Sequence, residues 1–145
     1  MTLLLAILAL PRLLQDKGES VPYTTIEKGT TSGFQSPLQM FVTSEKDWSD
    51  LWEKRQGSGA PKRNHPAVDF AKDVVVVAAL GSKLTGGYSL EISKIVRTKD
   101  NVEVTVRIGS PAPGTTPGGG PTSPFVFVRM KKPDKPVTFT EEEKK

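Results

Sequence analysis

The chain has 145 residues, enough for one domain with a single hydrophobic core but not for two. Hydrophobic residues make up 36% and charged residues 25%, as in a folded soluble protein, and 13 glycines with 12 prolines favour a β-rich fold with many chain reversals. The net charge of +4 would suit an anionic partner, but the basic residues are scattered among 16 acids and no nucleic-acid-binding motif is present. We therefore expect no nucleic-acid binding.

The absence of cysteine argues against disulfides, thiol catalysis, thiolate metal sites and lipid attachment through a cysteine.

An apolar run opens the chain at Met1–Leu10 and stops at Pro11. It is about as long as the core of a signal peptide and too short to span a bilayer. No basic residue precedes it and no clean small-x-small cleavage site follows it, so a core or amphipathic helix broken at Pro11 is the alternative. We interpret residues 1–20 as a signal peptide or N-terminal apolar segment, and we predict an exported protein without a transmembrane span.

Two strands and one helix are predicted next. Residues 21–28 alternate loosely and residues 38–43 are rich in β-favouring side chains. Ser44 can then cap a helix over residues 44–56, since its hydroxyl can accept an otherwise unpaired amide and acids follow in the first turn. The apolar stripe of this helix, spaced i, i+3, i+4, is formed by Trp48, Leu51 and Trp52. We interpret the tryptophan pair as core packing against a sheet rather than as a ligand platform.

The strongest strand signals lie in the second half. Val74–Leu80 is apolar on both faces, which predicts a central strand covered on both sides. Tyr88–Arg97 alternates until Lys94, where the pattern slips and predicts a bulge. Val102–Ile108 alternates cleanly after a turn at Lys99–Asn101, so it should pair antiparallel with the preceding strand.

The remaining chain predicts a long surface loop over residues 109–124, a strand over 125–130, a last short strand over 137–140 and a charged tail over 141–145. The fold class that follows is α+β: a mostly antiparallel β-sheet or sandwich of about five to seven strands with one amphipathic helix at about 44–56. We expect residues 21–140 to form a single domain.

A catalytic site is not predicted. His65 is the sole histidine, and Asp69 lies four residues on as a conceivable orienting group. No motif supplies a nucleophile, so we interpret His65 as a loop histidine and expect no enzyme activity. One histidine without cysteine also makes a structural zinc site unexpected, and we predict neither a metal nor a small-molecule cofactor.

The predicted binding residues are Thr85, Gly86, Gly87 and Tyr88, in the connection between two strands. A glycine pair there indicates backbone conformations that other residues disfavour, or a surface bare enough for another chain to approach closely. As a contact loop, it would offer Tyr88 as an aromatic anchor. As a purely structural turn, it would let Tyr88 pack over the sheet edge with its hydroxyl bonded to the backbone.

The order of these strands and loops over residues 68–130 resembles the C-terminal domain of the PrcB family. The residues that carry the resemblance are Val68–Phe70, Val74–Val77, Gly81, Thr85–Tyr88, Leu90, Ile92, Val102–Val106, Ser110–Pro111 and Pro124–Val128. The most specific element is Gly81 followed by the Thr-Gly-Gly-Tyr sequence. The family is named for a subunit of a bacterial surface protease complex, and the resemblance supplies no active-site residues. This chain departs from the lipoprotein members in having no attachment cysteine.

Two functions follow from the sequence as hypotheses. The resemblance implies a non-catalytic, exported protein-binding or accessory domain that stabilises or regulates a protease complex. In this hypothesis the Thr85–Tyr88 loop forms the contact surface, and the loop at 109–124 is a second candidate for it. The alternative is a chagasin-like proteinase inhibitor that presents the Thr85–Tyr88 loop, because Thr-Gly-Gly-Tyr is similar to the Thr-Thr-Gly-Tyr/Phe loop of those inhibitors. Two adjacent glycines would let the main chain pass close to a protease nucleophile.

Overall fold

The computed structural model describes residues 18–57 and 63–144. The segment predicted as a signal peptide, residues 1–20, lies outside the described residues except for its last three. One helix and eight strands occur in the described part of the chain: β1 (Glu19–Ser20), β2 (Tyr23–Gly29), β3 (Leu38–Val42), α1 (Glu45–Gln56), β4 (Asp73–Ala79), β5 (Ser89–Arg97), β6 (Val102–Gly109), β7 (Phe125–Lys131) and β8 (Val137–Glu143).

The strands form two four-stranded sheets that pack face to face. The outer sheet has the order β1-β5-β6-β8, and the middle sheet has the order β2-β7-β4-β3. All neighbours run antiparallel except β6 and β8, which are parallel. The helix α1 covers the face of the middle sheet that points away from the outer sheet. The predicted α+β class with a mostly antiparallel sandwich is confirmed.

β4 is buried on both faces, as its unbroken apolar sequence predicts. Val74, Val76 and Ala78 face the outer sheet and pack with residues of β5, β6 and β7. The alternate positions Val75 and Val77 face α1. Successive side chains of a strand point to opposite sides, and both sides of a strand in the middle of three layers are covered. The interior positions of such a strand are therefore all apolar.

The helix begins where the sequence predicts it. The Ser44 hydroxyl accepts a hydrogen bond from the Asp47 amide at 3.2 Å, and Gly57, at φ 73°, follows the last turn. Trp48, Leu51 and Trp52 are the buried residues of the helix. Trp48 is fully buried and packs edge-on against Phe127 of β7, with ring centroids 5.2 Å apart. The tryptophan pair is therefore part of the core.

The bulge predicted near Lys94 is confirmed, because the register of β5 against β6 shifts between Ile92 and Lys94. Residues 18–57 and 63–144 hold eight strands, one more than the predicted five to seven. The additional strand is β1, whose two residues pair with Arg97 and Val96 at the end of β5. A strand of two residues is too short to show an alternation of apolar and polar residues, so the sequence does not predict it.

The C-terminal end of the chain also differs from the sequence expectation. β8 runs to Glu143, three residues into the predicted charged tail. It pairs with β6 along its whole length, and Arg107 of β6 donates to the Glu142 carboxylate at 2.8 Å. Glu142 lies on the face opposite Phe139, whereas Glu141, on the same face as Phe139, is exposed and accepts a hydrogen bond from Gln39 Nε2 of the middle sheet at 2.8 Å.

Candidate functional site

Two connections cross between the sheets at the same end of the sandwich. The β4–β5 loop (residues 80–88) leads from the middle sheet to the outer sheet, and the β6–β7 loop (residues 110–124) leads back. They are joined by a two-way backbone bridge: the Lys83 amide donates to the Thr122 carbonyl at 2.7 Å, and the Thr122 amide donates to the Lys83 carbonyl at 2.9 Å. The Thr122 hydroxyl also donates to the Thr85 carbonyl at 2.9 Å. The two connections, called the paired loops below, form one structural unit.

The glycine pair lies where the paired loops approach each other most closely. Gly87 has φ +88°, and a Cβ at this position would lie 2.9 Å from the Cγ of Pro111. A Cβ on Gly86 would lie 2.9 Å from the carbonyl oxygen of Gly118. Both approaches are shorter than ordinary van der Waals contact. Gly86 and Gly87 are therefore explained by packing within the chain, which favours the purely structural turn.

The four predicted binding residues are only partly accessible. Gly87 is exposed, whereas Thr85, Gly86 and Tyr88 are half-buried. The Thr85 hydroxyl donates to the Gly86 carbonyl at 3.2 Å. The ring of Tyr88 lies under the ammonium group of Lys83, 5.1 Å from nitrogen to ring centroid, in a cation–π arrangement.

Leu84 is the accessible residue that sequence reasoning missed. It is 88% exposed, and Phe41 at 38% is the other large hydrophobic residue that is exposed in the described part of the chain. Leu84 lies between Lys83 and Thr85, two residues held by hydrogen bonds to Thr122. The available signal was a leucine placed between polar residues and glycines, away from any strand pattern. A single exposed leucine is common on protein surfaces, so its significance rests on the braced loop that carries it.

His65 and Asp69 have separate structural partners. His65 Nε2 lies 2.9 Å from Glu45 Oε1 at the start of α1, and its ring lies at the edge of Trp48 with centroids 6.0 Å apart. The Asp69 carboxylate accepts from the Ala71 amide at 3.0 Å, in a turn that leads into β4. The hydrogen bonds of His65 and Asp69 therefore fasten the connection before β4.

That connection is held along α1 by the two indole groups. Trp48 Nε1 donates to the Pro66 carbonyl at 2.9 Å, and Trp52 Nε1 donates to the Arg63 carbonyl at 3.0 Å. The ring of each tryptophan is thus buried against the middle sheet, and its indole N–H is hydrogen-bonded to a carbonyl of the connection before β4. This arrangement makes both rings structural and argues against the ligand platform considered from sequence.

Metal-binding and membrane-spanning features are not found over residues 18–57 and 63–144. These residues hold no cluster of three or more His, Asp or Glu side chains placed to bind a metal ion. The helix they contain is neither long nor apolar enough to cross a membrane. The paired loops remain the best candidate for a functional surface.

Comparison with known proteins supports the resemblance inferred from the sequence. Residues 74–131 match the family described as PrcB C-terminal. The matched segment runs from β4 through β7 and so contains both of the paired loops. No curated protein gives a significant match, and neither does any solved structure.

Proposed function

Starting from the match of residues 74–131 to the PrcB C-terminal family, we propose that the protein is a non-catalytic accessory domain that binds a protein partner. More specifically, we propose that the domain is exported and that it stabilises or regulates a protease complex. The observation that carries the binding role is the exposure of Leu84 on a loop braced by the Lys83–Thr122 bridge.

The bracing of the loop favours binding energetically. A flexible loop loses conformational entropy when a partner immobilises it, whereas the paired loops are already hydrogen-bonded to each other. Complete burial of a leucine side chain contributes about 1.5–3 kcal/mol, and this leucine contributes almost none of that to folding. Tyr88 adds an aromatic ring and Lys83 a charge beside it. Tyrosine is enriched among the residues that dominate protein interfaces, and Leu84 supplies exposed apolar area in the same loop.

Two further observations support the non-catalytic and exported parts of the proposal. The hydrogen bonds made by His65 and Asp69 serve the connection before β4, so this pair has no arrangement of base and orienting group. The apolar run at Met1–Leu10 has the length of a signal-peptide core.

The test is site-specific photo-crosslinking in cells that produce the full chain. A photoreactive amino acid at position 84 should crosslink to a protein partner, which mass spectrometry then identifies as a protease or a subunit of a protease complex. The same group at position 140, an exposed residue of β8, is the matched control. Leu84→Ser should abolish recovery of the partner without changing the melting temperature, because the side chain contributes little to the core. Equal crosslinking at both positions, or recovery unaffected by Leu84→Ser, would refute the contact surface.

The chagasin-like alternative is favoured by the exposure of Gly87, which has no side chain to keep another main chain away. The packing of Pro111 against Gly87 counts against it, since that side of the main chain is already occupied. Residual activity of a papain-like protease, measured with micromolar added protein, separates the two functions. Inhibition of the protease by the wild-type chain would favour the inhibitor, whereas unchanged protease activity would favour the accessory domain.

A further inference from the structure

The two sheets end in four edge strands, and in the described part of the chain β3 alone lacks a feature that discourages pairing. Native sheets protect their edges with very short strands, charged side chains or bulges. β1 has two residues, and β8 ends in three glutamates. β2 carries Glu27 and Lys28, and its register against β7 shifts just before them. By contrast, β3 has the uncharged sequence Leu-Gln-Met-Phe-Val and an unbroken register against β4.

The main-chain groups of Gln39 and Phe41 in β3 point away from β4. Leu80, directly after β4, donates its amide hydrogen to the Pro124 carbonyl at 3.0 Å and so continues the register of β4 against β7. Because the direction of hydrogen bonding alternates along an antiparallel strand, the even-numbered residues of β4 bond to β7 and the odd-numbered ones bond to β3. The β3 partners of those odd-numbered residues are Leu38, Met40 and Val42. The N–H and C=O groups of Gln39 and Phe41 are therefore directed to the outer side of β3.

The side chains of β3 also favour pairing with another strand. Phe41 is 38% exposed, and Gln39 on the same face is exposed as well. On the opposite face, Leu38 and Met40 are only partly buried against the layer of α1. The whole segment from residue 30 to residue 44 carries no charge. A strand that pairs with a second copy of this segment thus meets no like charge directly opposite, which would destabilise the pair.

We propose that β3 pairs antiparallel with β3 of a second copy of the chain, across a two-fold axis beside Met40. Gln39 of each copy then lies opposite the partner's Phe41, and each of these two pairs exchanges both of its N–H···O bonds. Met40 lies opposite the partner's Met40, and the two exposed phenylalanine rings come within diagonal reach of each other. The middle sheets of the two copies become one continuous sheet.

A second copy fits this edge because β3 is complementary to itself. Two-fold pairing uses the same surface on both copies, and β3 supplies the outward donors, the outward acceptors and the apolar side chains that such pairing needs. The carboxylate of Glu141, which is bonded to Gln39, lies at one end of the strand. The two-fold axis places the Glu141 carboxylates on opposite sides of the centre, so they do not face each other.

The dimer should be weak and reversible. Stable interfaces bury about 1,200–2,000 Å², and one pair of five-residue strands is small by that standard. We therefore expect a dissociation constant between micromolar and submillimolar. The proposal does not depend on the function assigned to the paired loops, since it rests on β3 and on a second copy of the chain.

The first experiment is analytical ultracentrifugation of the full chain from micromolar to millimolar concentration. The wild type should pass from monomer to dimer over this range. Gln39→Pro removes the outward N–H of residue 39, and proline is tolerated on an edge strand where that group faces outward. It should weaken the dimer about tenfold or more, because two hydrogen bonds across the axis are lost. Gln39→Ala is the matched control: it removes the side chain, keeps the N–H and should leave the dimer unchanged.

The second experiment tests the register by disulfide formation, which is possible because the chain has no cysteine of its own. Opposite residues of a non-hydrogen-bonded antiparallel pair have Cα atoms about 4.5 Å apart, within the range that a disulfide spans. Under mild oxidation, Met40→Cys should therefore form a covalent dimer rapidly. Thr24→Cys on β2, the other edge of the middle sheet, is the control and should crosslink only slowly.

Several outcomes would overturn the proposal. A chain that stays monomeric at millimolar concentration would leave the edge to another partner or to none. A dimer that Gln39→Pro does not weaken would use a different surface. Equal weakening by Gln39→Ala would show that the main-chain groups are not the contact, and equal crosslinking at positions 40 and 24 would exclude the two-fold pairing of β3.

Discussion

Replacing Gly87 by alanine should destabilise the fold by about 2–3 kcal/mol, as two separable costs. The first is conformational: at φ +88° an L-residue costs about 1–2 kcal/mol more than glycine. The second is steric, because the new Cβ would lie 2.9 Å from Pro111 Cγ and the proline would have to move. Overpacking of this kind costs about 1 kcal/mol at the low end of its range, which suits a partly exposed loop.

Other glycines of the paired loops separate these two costs. Gly119 has the same φ of +88°, and a methyl group added there would meet nothing within 4 Å, so Gly119→Ala isolates the conformational cost of about 1–2 kcal/mol. Gly86 has no positive φ, but an added methyl group would lie 2.9 Å from the Gly118 carbonyl, so Gly86→Ala isolates a steric cost of about 1 kcal/mol. Gly118 has no positive φ, and a methyl group added there would meet nothing within 4 Å. Gly118→Ala should therefore change the free energy of unfolding by less than about 0.5 kcal/mol.

The assay is equilibrium urea unfolding of the wild type and the four variants, with a common slope used to compare midpoints. A wild-type midpoint for Gly87→Ala would refute this account of the paired loops. If Gly119→Ala is as destabilised as Gly87→Ala, the account fails in part, because the proline contact would then contribute nothing.

Three further predictions concern the layers that support the loops. Trp48→Phe removes the indole donor to the Pro66 carbonyl and should lower the free energy of unfolding by about 1–2 kcal/mol; an unchanged urea midpoint would contradict this. Gly33→Ala would bring a methyl group within 2.0 Å of a carbonyl in the last turn of α1 and should cost about 3 kcal/mol, measured in the same way, so a well-tolerated alanine would contradict this close approach. The Arg107 guanidinium, chiefly by its hydrogen bond, holds the pKa of Glu142 below the ordinary 4.5, so the pair stabilises the fold above that value and loses this contribution as pH falls through the lowered pKa. Urea unfolding should then show Glu142→Gln less stable than wild type at neutral pH and equal to it in strong acid, and a difference that persists in strong acid would contradict this origin.

Local patterns were sufficient for much of the fold. The Ser44 cap and the spacing of Trp48, Leu51 and Trp52 specify α1 because helix ends and apolar stripes depend on residues a few positions apart. The slip at Lys94 specifies the bulge in β5 because one extra residue reverses the facing of every later side chain. The unbroken apolar run of β4 specifies its place in a middle layer.

The candidate site was predicted less completely. The sequence marks Thr85–Tyr88 as a special segment, but it leaves the glycines open to a structural and a binding explanation. Only the approach of Pro111 and of Gly118 showed what the glycines accommodate. For Leu84 the sequence offers only a weak signal, a leucine outside any strand pattern, because its exposure depends on how the folded loop is held.

The sequence alone determined the elements whose signals are local: the helix, the middle strand, the bulge, and the family that the segment from β4 to β7 resembles. Tertiary structure decided what depends on distant parts of the chain. The parallel pairing of β8 with β6 and the joining of two loops that are far apart in sequence both require contacts that no short-range periodicity encodes. Which surface of this domain is available to a partner is therefore a property of the folded chain.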